Sequence, residues 1–443
     1  MSGFATMAQR AKNIYVEPND LGLKVSSKLV GGQVVETVRN SRFNVCQILR
    51  LHPRYESLHF NSFNQRLYFD GKTVDDNTLS RECCWMENVY EIRPSPTMMM
   101  ESMNMVGEDR HINPLMEKFI QERKEDGTII WKQWDGIPRL ETMLETYFGA
   151  PPTKITRAYS KRWMIGAIRR ALFSTIDAPV KMDTVLVLNG RQGLRKSTAV
   201  EILALKQEWF GDMSIDMSNK DYVQHLNGKF IYELKELARR LKDKELEKSV
   251  IDQKVDAVRF PYTKCVVYVV RRTSFIATTN RMDILSDPTG SRRWWPVICG
   301  CDWTLDEDGN IIGMEPWDRH RTIDTDGLRA IREQLWLEAL HYAINGEQHW
   351  LTTDEEDERL KSRDAFVSHH PWFHQIKTAV KGKDVVDVSD VLLLLSIPLD
   401  RQDHKSRLII ESSLQELGYS KTRVRDANGS RPWKWKKHGK RKK

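Results

Sequence analysis

The 443-residue chain is 40% apolar and 29% charged and carries 14 Trp, a composition that builds buried cores and excludes a disordered or fibrous protein. No run approaches 18 consecutive apolar residues, and the opening MSGFATMAQRAKN lacks the apolar stretch of a signal peptide, so neither membrane insertion nor secretion is expected. The formal charge is +8, yet residues 401–443 alone hold 14 Lys/Arg against four Asp/Glu; the rest is slightly acidic, and such a basic end suits a polyanion, nucleic acid first. Six Cys at 46, 83, 84, 265, 299 and 301 lack the paired spacing of a zinc or disulfide framework, which points to a reducing, cytoplasmic setting.

In chain order, residues 1–110 predict a small α+β unit of unknown role. RFNVCQILRLH and TLSRECCWMENVYEI read as helices, and RLYFDGKTV as a strand entering a turn at Asp70-Gly71. Pro94-Ser95-Pro96 marks a boundary, and the Met-rich stretch after it suits packing against a neighbour better than metal binding. Residues 111–182 predict a helical collar ahead of the main core. Within it, ITRAYSKRWMIGAIRRALF spaces apolar residues along one face and carries Arg157, Lys161, Arg162, Arg169 and Arg170. That basic face reads either as a solvated surface or as one that approaches phosphate.

Residues 183–300 alternate strand and helix patterns, as a parallel sheet with crossover helices does, and with the helical region 315–360 they predict an α/β core and helical extension over 183–360. The apolar strand DTVLVL runs into Asn189-Gly190-Arg191-Gln192-Gly193-Leu194-Arg195-Lys196-Ser197-Thr198 and then a helix. Strand, glycine loop and helix in this order make a P-loop: backbone amides cradle phosphates, Lys196 reaches the terminal ones and Ser197 ligates Mg²⁺. Gly190, Gln192, Gly193, Arg195, Lys196, Ser197 and Thr198 are the candidate nucleotide-binding residues. Arg195 occupies the position before the lysine where the pattern has Gly, and a left-handed backbone there costs an L-residue about 1–2 kcal/mol.

A second apolar strand, KFIY, ends at Glu233 with Glu236 three residues on. Acids at the tip of a strand beside the P-loop strand can hold Mg²⁺ and polarise water; Glu233 is the metal-side candidate and Glu236 the water-activating one, and the roles can be exchanged. A third strand, TSFIATT, ends at Asn280, suited to sensing a terminal phosphate. Arg292 and Arg293 follow the turn DPTGS; each can serve as an arginine supplied to a neighbour's phosphates or as a structural ion pair.

Residues 370–443 predict a winged-helix-like, basic DNA-binding domain. DVSDVLLLLSI and DHKSRLIIESSLQELGY read as helices, followed by a basic hairpin turning at Asn428-Gly429. Lys405, Arg423, Arg425, Arg431, Lys434 and Lys436 are its phosphate-contact candidates. Trp433 and Trp435 are placed to stack on a base or to cap the small core.

The strings WDGIPRL (134–140), VLVLNGRQGLRKST (185–198), KFIYELKEL (229–237), VRFPYTK (258–264), ATTN (277–280) and DPTGSRRWWPV (287–297) together resemble the virulence-associated protein E family, phage, plasmid and genomic-island replication proteins related to superfamily 3 helicases. The resemblance implies a P-loop NTPase core of AAA+/superfamily 3 type, ATP and Mg²⁺, a ring-shaped oligomer such as a hexamer, and a DNA substrate. Carried onto this sequence, it makes Lys196 and Ser197 the phosphate and metal residues, Glu233 and Glu236 the acidic pair, Asn280 the sensor and Arg292 and Arg293 the arginine-finger candidates. It also implies a pore-lining segment that includes Lys248, Lys254, Arg259 and Lys264. A primase domain is not recognisable, so a primase is expected as a separate partner. Two readings result: an ATP-driven DNA helicase or translocase of a mobile element acting in a bacterial host cell, or an ATP-gated DNA-binding initiator whose hydrolysis Arg195 has weakened.

Overall fold

The computed structural model describes residues 15–212, 222–235, 249–259, 265–281, 291–307, 311–362, 366, 372–395, 398, 402–424 and 433–437. Glu236, Lys248, Lys264, Arg425, Arg431 and the Asn428-Gly429 turn lie outside these residues.

The first unit contains the hairpin β1 (Val25–Val30) and β2 (Gln33–Val38), helix α1 (Arg42–Leu51), a three-stranded sheet of β3 (His59–Asn61), β4 (Arg66–Phe69) and β5 (Lys72–Thr73), and helices α2 (Asp76–Tyr90) and α3 (Pro96–Glu108). Asp70 and Gly71, both at positive φ, make the turn between β4 and β5. The Met-rich stretch forms α3: Ser95 caps it, Pro96 starts it, and Met99 and Met103 are buried in one cluster with Val45, Ile48 and Leu49 of α1. The helix therefore belongs to the core of the first unit.

Next come α4 (Pro114–Glu117), the hairpin β6 (Ile120–Arg123) and β7 (Ile129–Trp131), α5 (Met143–Phe148) and α6 (Lys154–Phe173). Thr153 caps α6 through the Thr156 amide. Unlike a two-faced surface helix, α6 is buried nearly all round, and its cations are engaged by partners within the chain. Arg157 bonds Glu145 at 2.7 Å, Lys161 bonds Glu141 at 3.2 Å, and Arg162 pairs with Glu355 at 3.1 Å. Arg170 is 1% exposed and donates to the carbonyls of Met182 (2.7 Å), Gln253 (2.6 Å) and Arg271 (3.2 Å). The expected basic face is thus largely closed by partners within the chain, while Arg157 stays half-exposed and Arg169 half-buried.

The central sheet has five parallel strands: β8 (Val185–Asn189), β9 (Phe210–Gly211), β10 (Ile231–Lys235), β13 (Ser274–Thr279) and β14 (Trp294–Ile298), in the spatial order β14-β8-β13-β10-β9. Every residue of β8 is buried, as a strand covered on both faces requires. The helix α7 (Lys196–Leu203) follows β8, and α8 (Tyr222–Leu226) precedes β10. An antiparallel hairpin, β11 (Val255–Val258) and β12 (Val267–Val270), lies between β10 and β13 in the chain. Its base holds the buried ion pair Asp256–Arg271, Nε to Oδ2 2.8 Å.

After β14 come the hairpin β15 (Cys301–Leu305) and β16 (Ile311–Pro316), then α9 (Thr325–Ile344) and α10 (Thr353–Ser362). Helix α9 packs on α6 and α7: Trp336 donates to the Leu203 carbonyl at 2.8 Å. Buried Glu338 accepts the amides of Arg139 (2.7 Å) and Leu140 (3.0 Å), which ties the WDGIPRL string to α9. The last unit runs α11 (Phe373–Ala379), β17 (Val385–Val386), α12 (Val388–Leu394), α13 (His404–Glu416), β18 (Tyr419–Arg423) and β19 (Trp433–Lys437), with strand order β17-β19-β18 around its own apolar cluster. No helix among the described residues is long and apolar enough to cross a membrane.

Candidate functional site

The loop from Gly190 to Arg195 leaves the carboxyl end of β8 and is held on several sides. The Gly190 amide donates to Thr279 of β13 at 3.1 Å, and the Cys299 amide after β14 donates to Asn189 at 2.7 Å. A Cβ on Gly190 would lie 2.8 Å from the Cys299 carbonyl oxygen and 2.9 Å from Leu194, so only glycine fits. Gly193 takes φ +79°, a conformation that suits glycine. Arg191 turns away from the loop and donates to the Asp318 carbonyl at 2.9 Å.

Arg195 adopts φ 65°, ψ 28° immediately before α7, and no side chain caps that helix. The left-handed backbone is therefore kept despite the missing glycine, and the first amides of α7 are left for an anion. Because Arg195 is exposed, Arg195→Gly is expected to raise stability by roughly 1 kcal/mol through relief of this strain. Urea unfolding of the two proteins measures it, and a loss of stability would mean that the Arg195 side chain holds the loop.

Lys196 folds back into the loop, its Nζ donating to the carbonyls of Gly190 at 2.7 Å and Arg191 at 3.0 Å. Burial lowers its pKa from the usual lysine value, the state of a cation short of an anionic partner. Burial also pushes the Cys299 thiol up to about 12, so the sulfur beneath the loop is a neutral thiol.

Glu233 on β10 is fully buried. Its Oε1 accepts from Ser197 Oγ at 2.6 Å and from Thr278 Oγ1 at 2.6 Å, while its Oε2 is buried with no hydrogen-bond partner among the described residues. A carboxylate oxygen sealed without a donor costs at least about 1–3 kcal/mol, a cost that a cation would offset. Two hard oxygens, Ser197 Oγ and Glu233 Oε2, next to a loop of free amides suit a divalent cation such as Mg²⁺, which takes one or two protein oxygens and fills the rest of its shell with phosphate and water.

Sequence reasoning placed the acid-bearing strand beside β8. The structure instead sets β13 between β8 and β10, and Thr278 of that intervening strand bonds the acid. Thr278 and Arg191 are the residues the reading missed; Thr278 lies inside the quoted ATTN string, where its hydroxyl was the only available signal.

The remaining candidates fall elsewhere. Asn280 is exposed just past the end of β13, Gln192 and Thr198 are exposed beside the loop, and Lys254 and Arg259 are exposed at the two ends of β11. Arg292 and Arg293 immediately precede β14, whose first residue, Trp294, pairs with Val185, the first of β8. They therefore lie at the opposite end of the sheet from Lys196. Arg293 bonds Asp252, Nε to Oδ1 2.7 Å, whereas Arg292 is 58% exposed and 3.7 Å from Asp183. In the last unit Arg423 stacks over exposed Trp433 at 5.2 Å, Lys436 is exposed, Lys434 is half-buried on β19, Lys405 lies in α13, and Trp435 is buried in the core.

The family model for the virulence-associated protein E-like domain matches residues 129–368, more than half of the chain. The chain belongs to this family. The match takes in the whole parallel sheet and the helices around it. Among solved structures, the apo NrS-1 C-terminal region is similar at 12% identity and a TM-score of 0.45, covering 86% of this chain and 96% of that one. A second form of the same region aligns at 13% identity and 0.43 over the same shares. A comparison with curated proteins found no match.

Proposed function

We propose that this chain is an ATP-dependent DNA helicase or translocase that acts in replication of a phage, plasmid or other mobile element and works as a ring, six-membered in the simplest case. The observation that carries this reading is Glu233: one oxygen held by Ser197 and Thr278, the other buried and partnerless beside a glycine loop. In this P-loop reading, the amides of 191–197 hold the β- and γ-phosphates, and Lys196 exchanges its two carbonyl partners for phosphate oxygens. Ser197 and Glu233 hold Mg²⁺, which supplies charge neutralisation at the phosphates. Asn280 senses the terminal phosphate, and Glu236, outside the described residues, is the candidate to activate water.

Because Arg292 and Arg293 sit at the far end of the sheet, either would contribute to hydrolysis only at the site of a neighbouring subunit. Arg292, with its exposed guanidinium and long pairing distance, is the better candidate of the two. The pore segment around Lys254 and Arg259 and the last unit, read as a winged helix with Arg423, Lys434 and Lys436 toward phosphate, supply the DNA contacts. Retention of the left-handed backbone at Arg195 favours turnover over the nucleotide-gated initiator.

Phosphate release from ATP with and without single-stranded DNA tests the proposal. Turnover stimulated by DNA and absent in Lys196→Ala is expected. Wild-type turnover no higher than that of Lys196→Ala would leave the initiator reading in its place.

A further inference from the structure

A second site lies at the amino end of β8, away from the glycine loop. There the end of α6, the segment 178–184 and the residues after α9 enclose a cleft of about 870 Å³, within the usual size of ligand sites. Its lining includes Trp131, Phe173, His349 and Trp350, with Arg169 and Lys181.

The rings are held in place before any ligand arrives. Trp131 and Phe173 meet edge to face at 5.6 Å, and His349 meets Trp350 edge to face at 5.2 Å. His349 Nε2 bonds the Lys181 carbonyl at 2.8 Å, so that nitrogen carries the proton, and burial lowers the pKa of the ring, leaving it uncharged at neutral pH. Gln348 Nε2 donates to the Trp350 carbonyl at 2.9 Å. Trp350 nevertheless leaves 57% of its surface exposed, a large aromatic area open to a ligand.

The charge balance selects the ligand. The only acid among the described lining residues, Asp183, is shared by Lys181 at 3.1 Å and Arg292 at 3.7 Å. Arg169 adds a further cation, which donates to the Glu347 carbonyl at 3.3 Å. Fixed aromatic faces beside surplus cations are the combination that takes a nucleobase by stacking and its phosphate by charge.

We infer that this cleft binds a nucleotide unit, the base against Trp350 and its neighbouring rings and the phosphate toward Arg169 and Lys181. The unit comes either from a free nucleotide or from a single strand. The site is separate from the Lys196 loop, and the test keeps it so.

The full chain carrying Lys196→Ala is irradiated with 5-iododeoxyuridine monophosphate, or with a single-stranded oligothymidylate containing one 5-iododeoxyuridine, and adducts are mapped by peptide mass spectrometry. Adducts on Trp131, Phe173 or Trp350 are expected with at least one probe. They should fall about tenfold in Trp350→Ala, in line with the loss of one stacked base, and fall also in Lys181→Ala, a second exposed position that keeps the backbone carbonyl used by His349. Labelling by both probes identifies a free-nucleotide site, and labelling by the oligonucleotide alone identifies a strand site. No adduct in the cleft with either probe, or labelling unchanged in both folded variants, overturns the inference.

Discussion

Glu233→Gln is expected to lower ATP turnover by about 10²-fold or more while leaving the protein folded. The amide oxygen of Gln can still accept from Ser197 and Thr278, as Glu233 Oε1 does, so the geometry between α7, β10 and β13 is retained. The buried, partnerless Oε2 is replaced by an amide nitrogen that cannot ligate a cation. Nucleotide should therefore still bind through the loop amides, with its dependence on Mg²⁺ reduced, and the melting temperature should not fall. Titration with a fluorescent ATP analogue at several Mg²⁺ concentrations, beside phosphate release, separates these effects. Turnover within about twofold of wild type would remove Glu233 from the chemistry.

The largest expected loss of stability is at Arg170. Its guanidinium, 1% exposed, binds carbonyls from the segment before β8, from the approach to β11 and from the link between β12 and β13. Arg170→Ala leaves these acceptors without their donor and opens a cavity beneath the sheet, for an expected cost of about 3–5 kcal/mol. The neighbouring Asp256–Arg271 pair also loses a support, because Arg170 Nε bonds the Arg271 carbonyl, so the β11–β12 hairpin should loosen first. Arg157→Ala on the same helix removes only a half-exposed pair with Glu145 and should cost no more than about 1 kcal/mol. Urea unfolding followed by tryptophan fluorescence distinguishes the two; equal midpoints would contradict the buried role of Arg170.

The contrast between these arginines explains what the sequence could not convey. Five cations at helical spacing on α6 look the same whether water surrounds them or acids from far along the chain do. Glu347 and Glu355, which engage Arg162, lie nearly 200 residues away, beyond any local pattern. By contrast, VLVLN could be read as a central strand because burial on both faces leaves an unbroken apolar run, and β8 is buried throughout. The glycine loop was equally legible: Gly190 is enforced by the Cys299 carbonyl and Leu194, and the strand-to-helix order around it is local.

Lateral strand order was not legible. KFIYE carries no mark of which strand it pairs with, so β10 was taken as the neighbour of β8, whereas β13 separates them and contributes Thr278. The same gap hid the position of Arg292 and Arg293. From sequence they read as arginines supplied to a neighbour's phosphates or as structural ion pairs, with no sign of where in the fold they lie; parallel pairing of β14 with β8 sets them at the end of the sheet opposite the glycine loop.

A structure of the full chain with a non-hydrolysable ATP analogue, Mg²⁺ and single-stranded DNA tests the central claim most directly. The terminal phosphates should lie on the amides of 191–197 within reach of Lys196, with the cation against Ser197 Oγ and Glu233. Phosphates bound away from that loop, or a cation that leaves Glu233 untouched, would contradict it.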